Sequence, residues 1–412
     1  MEDIVTFFLY PFLFLALYFE VFLILSFFDA DARKRRRRTP SVIFPSVSVI
    51  IPCYNEERTI VATVDSVLAL DYPKDKLSVI VVDDGSTDST FDALARFSTT
   101  SNIRIVHKEN GGKHTALNAG IEVSESEFVG CLDADSFVAP DALTAVMENF
   151  DDERIGAVTA AMSVHAPRTI LERMQQAEYL LGITMRHAFA AVNGLYVTPG
   201  PFTIYRKKIF DELGLFKPAH NTEDMEIALR LQRAHWRIQN APQARVYTKA
   251  PKTVFGLIKQ RRRWTTGFLR NAMDYRELLA NPRYETLGLI VLPFAIFSVY
   301  SRIVILPITW GQALQSFFQF VRHTLEVPLS YTFHLPSIDW FFAPTSMIAL
   351  LGTFAILFTL TFIFVGAYIS KTKTHFGASI VWYLALYGLI APVWMILSVT
   401  DVARGVRRGW HA

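Results

Sequence analysis

The sequence predicts an α/β domain built on a mostly parallel sheet, carried between apolar helical segments. Three observations predict it. Apolar runs alternate with polar, helix-like stretches over residues 46–160. Long apolar stretches flank the charged middle of the chain at both ends. Polar clusters follow the first, second and fourth apolar runs, where a parallel sheet presents the carboxyl ends of its strands and binds ligands.

The first apolar stretch, residues 4–28, carries Glu20 as its only interior charge. It is long enough to span a bilayer, because about 20 residues cover the hydrocarbon core. It lacks a basic leading region and a small-residue cleavage site, so it reads as a retained anchor rather than a signal peptide. The run Arg33-Lys34-Arg35-Arg36-Arg37-Arg38 follows at once. Beside a span, such a run marks the cytoplasmic side. The expectation is therefore an integral protein of the plasma membrane with its soluble domain in the cytoplasm. Further spans are expected near residues 286–309, 341–370 and 378–399. Four simple crossings would put Arg404, Arg407 and Arg408 outside, against the charge rule, unless residues 310–340 cross or re-enter. The expected division is a transmembrane helix (1–30), a basic linker (31–45), a cytoplasmic domain (46–250), interfacial helices (251–284), a transmembrane region (285–400) and a basic tail (401–412).

Within the domain, residues 47–51 read as a buried strand, and Ile60, Val64, Val67 and Leu68 have helical spacing. A second strand ends at Asp83-Asp84-Gly85-Ser86, and a third, residues 103–106, leads into Asn110-Gly111-Gly112 and a helix from Lys113. The fourth, residues 128–132, ends at Asp133. The chain contains neither GxGxxG after its first strand nor GxxxxGK[ST], so dinucleotide and P-loop readings are weak. A net charge of +3 supplies no global basic field for nucleic acid. Two cysteines allow neither a disulfide scaffold nor a Cys-rich zinc site, and suit a reducing compartment.

The clusters carry the chemistry. Asp83 and Asp84 can cap the next helix, or accept hydrogen bonds from a nucleoside. Gly112-Lys113 is either a plain strand-to-helix turn or a donor-site contact. Asp133-Ala134-Asp135 holds two carboxylates at a sheet edge, where like charges repel unless a cation lies beside them. Oxygen ligands favour Mg2+ or Mn2+, held by a few carboxylates plus substrate phosphates. Thr222 is a natural helix N-cap, and Glu223 and Asp224 suit the first turn of the helix it opens. Asp224 could also serve as a general base. Gln260-Arg261-Arg262-Arg263-Trp264 lies on a helix beginning near Thr253. That helix reads as basic and membrane-facing, with Arg263 able to pair phosphate oxygens and Trp264 able to stack on a sugar ring. Residues 197–205, with Gly200 and Pro201, form a turn that permits close backbone approach.

Taken together, these motifs resemble the membrane-embedded glycosyltransferases of family 2, whose nucleotide-sugar-binding domain has the GT-A-type α/β fold. Ile51-Pro52-Cys53-Tyr54-Asn55-Glu56 is similar to the family's opening PxYNE, and the other clusters follow in the family's order. The TED and QxxRW motifs are similar to those of processive poly-N-acetylglucosamine, hyaluronan, chitin and cellulose synthases. The resemblance implies that Tyr54, Glu56, Asp83, Asp84, Lys113 and Asp133 hold a UDP-sugar, together with Gln260, Arg263 and Trp264. It implies Asp135 and Asp133 as metal ligands, Asp224 as the base, and Trp264, Glu223, Gly200 and Pro201 near the acceptor. The implied reaction inverts the anomeric carbon and extends a β-linked polysaccharide or oligosaccharide, with N-acetylglucosamine the best candidate sugar. The alternative is a single transfer to a membrane lipid, giving a glycolipid. A non-catalytic sensor of nucleotide sugars is disfavoured by the intact Asp135, Asp224 and Trp264. Four or five spans leave any product pore to interfacial helices, a second copy of the chain or an auxiliary membrane subunit.

Overall fold

The computed structural model describes residues 2–36, 44–326, 347–372 and 376–406. Arg37, Arg38, Trp340, Phe341, Arg407 and Arg408 lie outside the described residues. Helix α1 (Glu2–Arg36) runs from the first apolar stretch into the basic run. The domain then alternates β1 (Val47–Cys53), α2 (Ile60–Leu68), β2 (Leu77–Asp83), α3 (Thr90–Leu94), β3 (Ile103–His107), α4 (Lys113–Glu122) and β4 (Phe128–Cys131). It continues through β5 (Ser136–Val138), α5 (Ala142–Met147), β6 (Ile155–Val164), α6 (Ile170–Ala191), β7 (Thr203–Arg206), α7 (Lys208–Leu213), α8 (Glu223–Arg233) and β8 (Arg237–Thr248).

All eight strands join one mixed sheet in the order β3-β2-β1-β4-β7-β6-β8-β5. The β3-β2-β1-β4 half is parallel, as expected, whereas β7 runs antiparallel to both β4 and β6. Side chains alternate across the sheet with period two, so β1 divides between two cores. Val47, Val49 and Ile51 join the core under α2 and α5, while Ile50 joins the core under α4. Burial on both faces explains why these strands read as continuous apolar runs. The chain leaves β1 toward β2 and β3, then returns to place β4 on the other side of β1. The carboxyl ends of β1 and β4 therefore lie side by side at the sheet edge, the usual ligand position in such sheets.

Helix α9 (Val254–Asp274) is capped by Thr253, whose hydroxyl accepts from the Gly256 N–H. A π-helical turn (Leu287–Val291) leads into α10 (Leu292–Glu326). Then come α11 (Met347–Ile369), α12 (Phe376–Trp382) and, after a second π turn (Tyr383–Tyr387), α13 (Gly388–Ala403). Four segments are long and apolar enough to cross a membrane: Tyr10–Phe28, Leu287–Val304, Leu350–Ile369 and Ser379–Ala403. The last also packs against the domain at both ends. Ile380 packs with Ala161 of β6 and Leu180 of α6 near its start. At its end, the Asp401 carboxylate takes two 2.7 Å hydrogen bonds from Arg262 of α9. Both ends of this helix pair thus meet the soluble domain, and Arg404 stands on the domain's side.

Candidate active site

The loops after β1 and β2 are laced together. Asn55, at φ 56°, donates its N–H to the Ser86 hydroxyl and accepts from the Thr87 N–H at 2.8 Å. Tyr54 and Glu56 flank it, both half-buried. Asp83 is fully buried and accepts from the Ser86 N–H and hydroxyl, with His107 Nδ1 2.6 Å from its other oxygen. Asp84 accepts from the Gly111 and Gly112 N–H groups and from Lys108 Nζ at 2.6 Å. Both carboxylates therefore set the strand-end loops, and Asp84 fixes the glycine turn that delivers Lys113. Gly112 sits at φ 90°, a conformation that glycine adopts freely.

Lys113 is the hub of the site. Its Nζ lies 2.6 Å from Asp133 Oδ1 and 3.2 Å from Glu223 Oε1, joining the β4 cluster to the start of α8. Burial works against its charge, but Asp133, Glu223 and Asp224 outweigh burial and raise its pKa. Gly200 is pressed against this pair, and a Cβ there would stand 2.9 Å from both Asp133 Oδ1 and Lys113 Nζ. Strand pairing explains the approach: Thr203 of β7 faces Cys131 of β4, so the preceding loop lies across from Asp133-Ala134-Asp135. Pro201 is buried behind that loop.

Asp224 is held from two sides. The Thr198 N–H and hydroxyl both donate to its backbone carbonyl, at 3.1 and 2.6 Å. Burial, and then the charge of Glu223, push its carboxyl up to about 6, against the pull of Lys113 and Arg263. Asp135 is likewise pushed up to about 6, by burial and then by Asp133 and Glu56. It accepts a hydrogen bond from the Ser136 hydroxyl at 3.1 Å. Among the described residues there is no cluster of three or more His, Cys, Asp or Glu side chains that could hold a metal. Asp135 and Asp133 nonetheless fit Mg2+ or Mn2+, which take one or two carboxylates and complete their shell with phosphate oxygens and water.

Thr222 departs from expectation. It occupies the N-cap position of α8, but its hydroxyl makes no capping bond. It donates instead to the Ala219 carbonyl and accepts from Asn271 Nδ2 of α9 at 2.8 Å. A tertiary contact has displaced the local one. Arg263 Nη1 donates to the Asn221 carbonyl at 3.1 Å, which brings it to the base of the Glu223-Asp224 turn. Gln260 lies on the same side of α9, where both residues line one cavity. Trp264 lies beneath the Arg261 guanidinium, 4.2 Å from its ring centroid. Arg261 is in turn clamped by Glu178 at 3.0 and 2.6 Å, and Glu178 also accepts from the Tyr387 hydroxyl.

Sequence reasoning passed over Lys108, His107, Glu178, Arg261 and Asn271 as supporting groups. The end of β3 beside Gly111-Gly112 was a signal for Lys108. Arg261 lay within the Gln260–Trp264 motif, while Glu178 and Asn271 had no signal, since their partners are remote along the chain.

These features describe a mixed α/β domain with carboxylates gathered at one sheet edge and apolar helices of membrane-spanning length. Residues 45–267 match glycosyltransferase-like family 2. The chain is 28% identical over 368 residues to the poly-beta-1,6-N-acetyl-D-glucosamine synthase of Staphylococcus epidermidis, covering 88% of this chain and 85% of that protein. It is 33% identical over 265 residues to the enzyme of the same name from Staphylococcus aureus strain COL, covering 63% of each. Among solved structures, a mannosyltransferase from Pyrobaculum calidifontis, in complex with GDP-Man and Mn2+, superposes with a TM-score of 0.59. That pair shares 19% identity and covers 98% of this chain and all of the other. The chain belongs to glycosyltransferase family 2, and its fold is the GT-A type.

Proposed function

We propose that this enzyme transfers N-acetylglucosamine from UDP-N-acetylglucosamine to the growing end of a β-linked polysaccharide at the cytoplasmic face of a membrane. The donor and product classes rest on the names of the two staphylococcal relatives. The observation that carries the chemistry is the Lys113 bridge between Asp133 and Glu223, which sets the β4 carboxylates and the α8 base around one crevice. In this reading Asp224 takes the proton of the acceptor hydroxyl. The acceptor oxygen attacks the anomeric carbon, the bond from that carbon to the diphosphate oxygen breaks, and UDP leaves with inversion. Tyr54, Glu56 and the loops set by Asp83 and Asp84 seat the nucleoside. Lys113, Gln260 and Arg263 offset charge on the diphosphate. Trp264, Glu223, Gly200 and Pro201 border the acceptor. When bound at Asp135 and Asp133, a divalent cation would neutralise the leaving diphosphate.

A panel of UDP-sugars incubated with purified protein and Mg2+ or Mn2+, followed by mass analysis, tests the reading. A ladder of hexosamine products from UDP-N-acetylglucosamine is expected, lost on chelation and restored by added cation. A single glycolipid product would replace the polymer assignment.

A further inference from the structure

Arg261 and Arg262 each use the Nε–Nη2 edge of the guanidinium to grip a carboxylate, that of Glu178 and of Asp401. This edge matches the paired oxygens of a carboxylate or a phosphate. Arg186 of α6 presents the same edge, with both nitrogens buried and without a hydrogen-bond partner among the described residues. We propose that this edge of Arg186 binds the phosphate of a membrane phospholipid. The inference stands apart from the transfer reaction. Arg186 does not line the cavity that holds Gln260 and Arg263.

The fold holds this side chain in place. Gly182 lets it turn back along α6, since a Cβ there would stand 3.1 Å from Arg186 Nη1. The groups whose charge acts on Arg186 are the phenols of Tyr179 and Tyr196, and no carboxylate of the described residues joins them. Burial pulls its pKa down to about 10, so the charge persists at neutral pH. A buried cation without a counter-ion is costly. A sugar hydroxyl would fill its hydrogen bonds and leave the charge, whereas an oxyanion answers both.

The surroundings place the oxyanion at a bilayer. Along α6, Arg186 lies between Thr184, which donates to the Phe362 carbonyl of α11 at 2.7 Å, and Phe189, whose ring is 6.0 Å from Phe19 of α1. Both partner helices are of membrane-spanning length. Arg302 of α10 adds a second cation. Val299 and Ile303, on its flanks, pack in one core with Leu195 and Tyr196, while Arg302 itself is exposed within an apolar segment of spanning length. A cation in such a segment marks a ligand position. Burial raises the Tyr196 pKa, and the charges of Arg186 and Arg302 both oppose that rise, so the two cations flank one phenol. Phosphate is the oxyanion that every phospholipid of a bilayer presents.

Native mass spectrometry of the full chain, released from micelles containing phosphatidylglycerol, diacylglycerol or oleate, tests the proposal without reference to transfer. Phosphatidylglycerol should be retained over diacylglycerol, which has the same acyl chains and no phosphate. Arg186→Gln removes the paired donors and the charge, and should lower phosphatidylglycerol retention about tenfold or more. Arg302→Gln, at an exposed position, should lower it about fivefold and keeps the test valid if Arg186→Gln does not fold. Equal retention by wild type and the folded variants overturns the proposal. Oleate held as tightly as phosphatidylglycerol, and lost in the same variants, would overturn the choice of phosphate. Complete displacement by inorganic phosphate would overturn the lipid assignment, and displacement by UDP would return Arg186 to the donor site.

Discussion

In the proposed mechanism Asp224 and Lys113 set the chemistry jointly. Replacing Asp224 by Asn keeps the shape and removes the proton acceptor. Transfer should fall by about 10²–10⁴-fold, while UDP binding measured by calorimetry stays near the parental value. Parental turnover in this variant would remove Asp224 from the base role. The raised proton affinity of Asp224 also has a sign. A base must be ionised, so activity should fall as pH drops through about 6, nearer neutrality than for an ordinary aspartate. Lys113 lowers the Asp224 pKa. Lys113→Met should therefore move the acidic limb of the pH–rate profile to higher pH, and an unmoved limb would uncouple the two groups. Gly200 tests the same centre by shape. Gly200→Ala puts a methyl against the Lys113–Asp133 pair and should weaken UDP-sugar binding, read as a raised KM.

The N-terminus of α8 is positioned by α9 rather than by its own cap. Asn271 holds Thr222, Arg263 holds Asn221, and Gly267 lets the two helices meet, since a Cβ there would overlap the Thr222 side chain. Overpacking of this kind costs about 1–3 kcal/mol. Gly267→Ala should lower thermal stability by that order and displace Asp224, reducing transfer more than UDP binding. Equal losses of both would mean the contact is purely structural. The consecutive left-handed residues Ala219, His220 and Asn221, at φ 40°, 57° and 63°, belong to the same joint. Such backbone persists only where its surroundings hold it, and these bonds are that hold.

Seen whole, the molecule seats its catalytic domain on helices that it grips through ion pairs. Arg262 and Asp401 are separated by 139 positions, yet they join α9 to the end of α13. That contact, together with the packing of Ile380, keeps both ends of the last apolar segment beside the domain. A cysteine placed at exposed Arg404 should react with an impermeant maleimide from the same face as one placed at exposed Glu57. The native Cys53 and Cys131 are buried and should stay silent. Labelling of the two sites from opposite faces would mean that the segment crosses after all.

Features that depend on near neighbours were readable along the chain. Strand alternation, the boundaries of β1 to β4, the carboxylates at their ends and the length of the apolar segments follow from local periodicity and composition. Their placement at one sheet edge follows from the general rule for parallel strands. Choices among competing partners were settled by packing. Thr222 reads as a cap until Asn271 takes its hydroxyl. The contacts that Arg262 and the α6 surface make with the ends of the final apolar segment were likewise not readable. These contacts join groups 49 and 139 positions apart, and a hydrogen bond or ion pair goes to whichever partner the folded backbone brings within about 3 Å.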